Sequence, residues 1–221
     1  MRSVPYGEAD LVVTVLTERE GKVSALVRGA RKGSRRTAGA LEPMHTVMVT
    51  YEDKGTELAT MKEARVVRPR AELLRDLEAI EAAGTMLRWA RHIFPPKTPE
   101  PAAYATLTAA LDALDAHVHA PLAELASAGL RLLADVGWAL ELERCVKCGT
   151  PCPDEALALF DASQGGIVCR RCGGGRTQLR AALRHAGTTA RKQGATADVA
   201  PFARGLVELV ESAMAAHAGY A

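Results

Sequence analysis

The sequence predicts an α+β protein of several parts: a small β-barrel or sandwich over residues 1–70, then a helical bundle over 71–221 with a zinc-ribbon-like module inserted at about 144–175. Three observations carry this. Closely spaced β-branched runs fill the first part, the hydrophobic period lengthens to about 3.6 residues near Pro69, and two Cys-x-x-Cys pairs stand twenty residues apart in the last third. With 221 residues, 48% hydrophobic and 24% charged, the chain has the make-up of a folded protein rather than a disordered, collagen-like or coiled-coil one.

Residues 10–17 are β-branched and nearly continuous, and Glu18-Arg-Glu-Gly21 supplies a turn into residues 22–27, which makes a hairpin. A polar, Gly-containing stretch over 28–39 leads to a strand at 46–51, a turn at Glu52-Asp-Lys-Gly55 and an extended run over 58–67. Four or more short strands without intervening helices favour a closed or sandwiched sheet. Beyond Pro69, Leu73, Leu74, Leu77, Ile80, Leu87 and Ala90 share one helical face that must end before Pro95-Pro96. Tyr104, Leu107, Leu111, Leu114 and Val118 mark a second helix, with Asp112 and Asp115 on its solvated face. Pro121 opens a third, buried through Leu122, Leu125, Leu132, Leu133 and Val136. The pattern resumes with Leu179, Leu183 and Ala186, then with Phe202, Leu206, Leu209, Val210 and Met214, and residues 187–198 between them read as a mobile linker.

The sharpest chemical signal is Cys145-Val-Lys-Cys148-Gly149 followed by Cys169-Arg-Arg-Cys172-Gly173. A two-residue gap lets both sulfurs of a turn reach one ion at about 2.3 Å, and four sulfurs close a tetrahedron with no position left for water. Cys145, Cys148, Cys169 and Cys172 are therefore expected to hold one structural Zn²⁺ per chain, with Cys152 a bystander. Leu157-Ala-Leu-Phe160 and Ile167-Val168, on either side of a Gly-containing turn, read as the ribbon hairpin.

The second signal is electrostatic. The net charge of +2 divides unevenly: residues 1–70 carry 13 basic and 9 acidic side chains, 71–144 carry 6 and 11, and 145–185 carry 6 and 3. Within 21–41 there are Lys22, Arg28, Arg31, Lys32, Arg35 and Arg36 and no acid, a pattern suited to phosphate because guanidinium forks pair with its oxygens. About five such contacts would give log affinity a slope against log salt of about −3.5 on a single strand or −4.5 on a duplex. Only Tyr6 and Tyr51 are aromatic in this part, so electrostatics is expected to dominate over stacking.

No catalytic residues are nominated. HExxH, GxSxG and the dinucleotide fingerprint are absent, and Gly29-Ala-Arg-Lys-Gly-Ser34 lacks the spacing of a phosphate loop. Without an apolar run of about 20 residues or a secretory start, the chain reads as a cytoplasmic protein with no membrane partner.

In order along the chain, Pro5-Tyr-Gly-Glu-Ala-Asp-Leu-Val-Val-Thr-Val-Leu-Thr17, Gly21-Lys-Val-Ser-Ala-Leu-Val-Arg-Gly-Ala-Arg-Lys32 with Gly39-Ala-Leu-Glu-Pro43, and Trp138-Ala-Leu-Glu-Leu-Glu-Arg-Cys145-Val-Lys-Cys-Gly149 resemble the RecO family of bacterial recombination mediators. The resemblance implies an N-terminal OB-fold, a helical domain and a zinc module inserted in it. It implies a non-enzymatic protein that binds single- and double-stranded DNA, anneals complementary strands, and works with RecR and single-strand-binding protein to help load RecA. Arg28, Arg31, Lys32 and Arg35 fall within the matching motif and are the DNA-contact candidates, joined on charge by Arg36. Arg88, Arg91 and Arg131 are nominated for the acidic tail of single-strand-binding protein. One departure stands out: Met1 lies too close to Tyr6 for the strand that family members carry there, so the first strand of the barrel is expected to be missing through a late start. The competing readings are a zinc-ribbon adaptor of transcription or translation whose basic loop touches RNA, and a metal-dependent nuclease or deaminase, which lacks its ligand motif.

Overall fold

The structure, a computed structural model, describes residues 2–32 and 40–219. Among the described residues, eight strands and five α-helices follow one another in two regions. The first is an antiparallel meander of β1 (Arg2–Tyr6), β2 (Asp10–Thr17) and β3 (Gly21–Val27), to which β5 (Ala59–Arg68) adds in parallel and β4 (Thr46–Glu52) antiparallel. The order β1-β2-β3-β5-β4 makes a partly open Greek-key sheet of the OB type. Alternation builds its core: Val13, Val23, Ala25, Val27, Ala59, Met61 and Ala64 point inward, and Val12, Thr14, Ser24 and Leu26 lie between them on the opposite face. The open side between β2 and β4 is a cleft of about 470 Å³.

The strand thought to be missing is present. Arg2–Tyr6 pairs with β2 from Arg2↔Thr14 to Tyr6↔Asp10, because the Gly7-Glu8-Ala9 turn needs only three residues and leaves five for pairing.

Three helices, α1 (Leu77–Ile93), α2 (Pro101–Asp115) and α3 (Pro121–Asp135), pack with α4 (Ala181–Gln193) and α5 (Ala203–Ala218) around a second core centred on Trp89, Met86, Leu130, Leu132, Leu133 and Val210. The first helix begins later than its apolar stripe. Asp76 caps it by accepting from the backbone N–H groups of Glu78 and Ala79, so Leu73 is buried in a separate 3-10 turn while Leu74 and Leu77 face solvent. Val118 is also exposed, past the end of α2. The stretch 187–193 is helix rather than linker, with Gly187 in close contact with Leu142 and Leu206.

The interior is rich in alanine and glycine, which lets helices approach closely. A Cβ on Gly129 would stand 2.7 Å from Trp89 Cζ3 and 2.9 Å from Val210 Cγ1. Gly129→Ala is expected to cost about 1–3 kcal/mol despite its gain in helix propensity, read as a fall in the denaturant midpoint; a rise would show that this seam repacks freely.

Two polar seams join sheet and bundle. Arg70, 1% exposed, donates to the Met44 carbonyl at 2.7 Å and Thr46 Oγ1 at 3.1 Å, and its guanidinium pairs with Asp112 Oδ1 at 2.7 Å. Asp112 also holds Arg68 at 2.8 Å, and Asp115 accepts the Leu73 N–H at 2.9 Å. The two carboxylates read as a solvated face are thus clamps on the connection between the regions. At the second seam Lys22 Nζ donates to the Arg91 carbonyl at 2.7 Å, and burial is the first cause lowering its pKa. No described helix is long and apolar enough to cross a membrane.

Candidate nucleic-acid interface and metal centre

The basic stretch starts where β3 ends. Arg28 follows Val27 and is exposed, and the next residues form a 3-10 turn, Ala30–Lys32, docked on the β1–β2 turn. Its root is fixed by three sets of bonds. The Gly29 N–H donates to Asp10 Oδ1 at 2.8 Å, the Arg31 N–H to the Ala9 carbonyl at 3.0 Å, and Arg31 Nη1 to the carbonyls of Gly7 and Glu8 at 3.4 and 3.2 Å. A guanidinium carries five N–H donors, and these contacts use Nη1 alone. Arg31 therefore has a clamping role that sequence did not suggest, and the signal for it, an acceptor turn more than twenty residues upstream, is not a motif.

Of the other candidates, Lys32 closes the turn, and Arg35 and Arg36 lie outside the described residues. Lys22 is committed to the bundle. Arg88 and Arg91 lie on α1 and Arg131 on α3; Arg88 donates to Thr85 Oγ1 and Arg131 to the Arg191 carbonyl, and none of the three lines the cleft at the open side of the sheet.

The cysteines sit on a second sheet of order β7-β6-β8, made of β6 (Ala158–Asp161), β7 (Gly166–Ile167) and β8 (Thr177–Leu179). Phe160, Ile167 and Leu179 plug this sheet into the main core. Backbone bonds then bring the two turns together: Val146 N–H donates to the Ile167 carbonyl at 2.9 Å, and Ile167 N–H to the Glu141 carbonyl at 2.9 Å. Gly149 and Gly173 follow their pairs with φ of 71° and 109°, the left-handed conformation that reverses each turn and that side chains rarely adopt.

The Sγ atoms of Cys145, Cys148, Cys169 and Cys172 consequently all lie within 4.8 Å of one another, and Cys148 Sγ is 3.8 Å from Cys169 Sγ. An ion bound at about 2.3 Å would sit in a tetrahedron with edges of about 3.8 Å, so the donor set fits a tetrahedral metal. Cys152 is outside the cluster, half-buried against the core.

Cys145, Cys148 and Cys172 ionise unevenly. The Cys169 backbone N–H, 3.4 Å from Cys145 Sγ, is the first cause bringing the Cys145 thiol down to about 6. Hydrogen bonding to Thr150 lowers Cys148. Hydrogen bonding among the sulfurs, Cys148 first, pushes Cys172 up to about 12. Four thiolates this close would repel one another, and a divalent cation bound among them would offset that repulsion.

Comparison with known proteins agrees with this architecture. The family model "Recombination protein O N terminal" matches residues 1–70 and "Recombination protein O C terminal" matches residues 74–186. A DNA repair protein RecO of Anaeromyxobacter sp. (strain K) is 39% identical over 176 residues, which cover 79% of this chain and 68% of that protein. One of Bifidobacterium animalis subsp. lactis is 33% identical over 171 residues, 76% of this chain and 70% of that protein, and one of Nocardioides sp. is 34% identical over 174 residues, 78% and 71%. An OB-type sheet, a helical bundle and a four-cysteine cluster in this order, matched by both family models, place the chain in the RecO family of DNA repair proteins.

Proposed function

We propose that the protein is a non-enzymatic mediator of recombinational repair that captures DNA electrostatically, anneals complementary strands, and acts with RecR and single-strand-binding protein in loading RecA. The observation that supports this most is the docking of the basic turn on the β1–β2 turn. In OB-folds the β2–β3 face and the adjoining loops receive oligonucleotides, and here Arg28 and Arg31 stand at that edge with the basic sequence continuing beyond them. Arg28, Arg31, Lys32, Arg35 and Arg36 are the proposed phosphate contacts. Replacing Arg31, Lys32 and Arg35 together by Ala should abolish annealing of complementary oligonucleotides and flatten the salt slope by about two units on a single strand. Unchanged annealing would remove these residues from the site.

In this reading the cysteine cluster holds one Zn²⁺ as an inert support. Four thiolates are a soft, closed donor set, which suits zinc and leaves no position for substrate. Atomic absorption should find one zinc per chain in protein prepared without chelator, and a value well below one would refute the assignment. The division of labour follows the chain, with residues 1–70 for DNA and the helical part for protein partners, which its acidic balance equips better for contacts other than phosphate.

A further inference from the structure

The outer face of β1, β2 and β3 has one closed and one open end. At the closed end Leu16 packs against the helical core and Lys22 reaches the Arg91 carbonyl. At the open end stands Tyr6. Strand parity puts Arg2, Val4 and Tyr6 on this face, since their partners Thr14, Val12 and Asp10 alternate with the inward Val13 and Leu11. Tyr6 is 56% exposed and is the aromatic ring of the β1–β3 meander.

Its surroundings are those of a nucleic-acid platform. Asp10 is directly opposite Tyr6, and its carboxylate is occupied by the Gly29 N–H. Leu11, next to Asp10, pairs with Val27, and Arg28 follows Val27 as an exposed residue, so the basic turn leaves β3 at the same end of the sheet as Tyr6. Gly7, next in the chain after Tyr6, accepts from Arg31 Nη1, which ties the ring's backbone to the basic turn. Tyr51 is excluded from such a role: it lines the cleft, packs against the inner core, and gives its hydroxyl hydrogen to Glu20.

We infer that Tyr6 stacks on an unpaired base, so that the face holds single-stranded nucleic acid with the ring on one base and Arg28 and Arg31 on the flanking phosphates. This rests on the DNA-binding reading above and narrows it, because a base inside a duplex offers no free π-face to the ring. It adds one stacked base to an interface in which electrostatics is expected to dominate.

The 221-residue chain and its Tyr6→Ala, Tyr6→Leu and Tyr6→Phe variants would be titrated into fluorescent oligo-dT and into a blunt-ended duplex over a range of salt. Ala and Leu should each weaken oligo-dT binding about 5- to 150-fold, with Phe retaining wild-type affinity, because the ring and not the hydroxyl stacks. Duplex affinity should be unmoved in all three, and the salt slope on oligo-dT should match wild type, because stacking releases no counterions. Leu keeps apolar bulk on the edge strand and so separates a lost ring from a lost fold. Equal oligo-dT affinity in wild type and Leu would overturn the inference alone, as would a parallel loss on duplex. A wild-type chain that captures neither oligonucleotide would overturn the DNA-binding reading with it.

Discussion

Asp112→Ala is expected to destabilise the protein by about 3 kcal/mol, within the range for breaking a buried ion pair by removing one partner. Arg70 would remain 1% exposed with its positive charge uncompensated, held by the Met44 and Thr108 carbonyls and Thr46 Oγ1. Arg68, more than half exposed, would merely return to water. The prediction has a second arm. Arg70→Met combined with Asp112→Leu removes both charges together, and because desolvating the pair offsets much of its attraction, the double variant should be more stable than Asp112→Ala alone. Urea midpoints of the variants decide the matter. A loss below about 1 kcal/mol in Asp112→Ala would mean that water reaches Arg70 and that the seam is surface-like.

Removing the proposed zinc should have the other large effect, confined to one region. The strands β6, β7 and β8 are short, and the proposed metal would cross-link through Cys145, Cys148, Cys169 and Cys172 the two turns beside them. Structural zinc contributes its binding free energy directly to folding, apparent values being about 10–16 kcal/mol in small zinc modules. A chelator, or Cys148→Ser, should therefore strip the metal and abolish amide protection over residues 141–179. The β1–β5 sheet has its own core and should keep its protection and its oligonucleotide affinity. Loss of protection in β1–β5 on chelation would show that the metal supports the whole molecule, and unchanged protection over 141–179 would show that the hydrophobic plug of Phe160, Ile167 and Leu179 suffices without it.

What sequence revealed and what it hid follow from interaction range. Val- and Thr-rich runs, the 3.6-residue stripes and the paired cysteines are local patterns, and the sheet, bundle and ribbon they announce are present. Asp112 and Asp115 misled because their partners, Arg70 and the Leu73 N–H, are 42 residues away, while within the helix they look like any solvated pair. Lys22 was counted with the basic stretch for the same reason: only the fold brings the Arg91 carbonyl to it. The late helix start turned on a cap, Asp76, that interrupts an unbroken apolar stripe. In the candidate interface, charge marked the segment, but the geometry that roots it, Asp10 on Gly29 and Arg31 on the β1–β2 turn, depends on register across strands. Tyr6 was visible as a residue and invisible as a surface.

The outer sheet face, shut at one end by the Leu16 and Lys22 seam, is also narrow across its strands. From β1 to β3 the exposed ledge is only about 10 Å wide at ordinary strand spacing. In the proposed binding mode a polynucleotide crossing it would find footing for a few nucleotides only, so each molecule would grip a short stretch and leave the neighbouring bases free to meet a complementary strand.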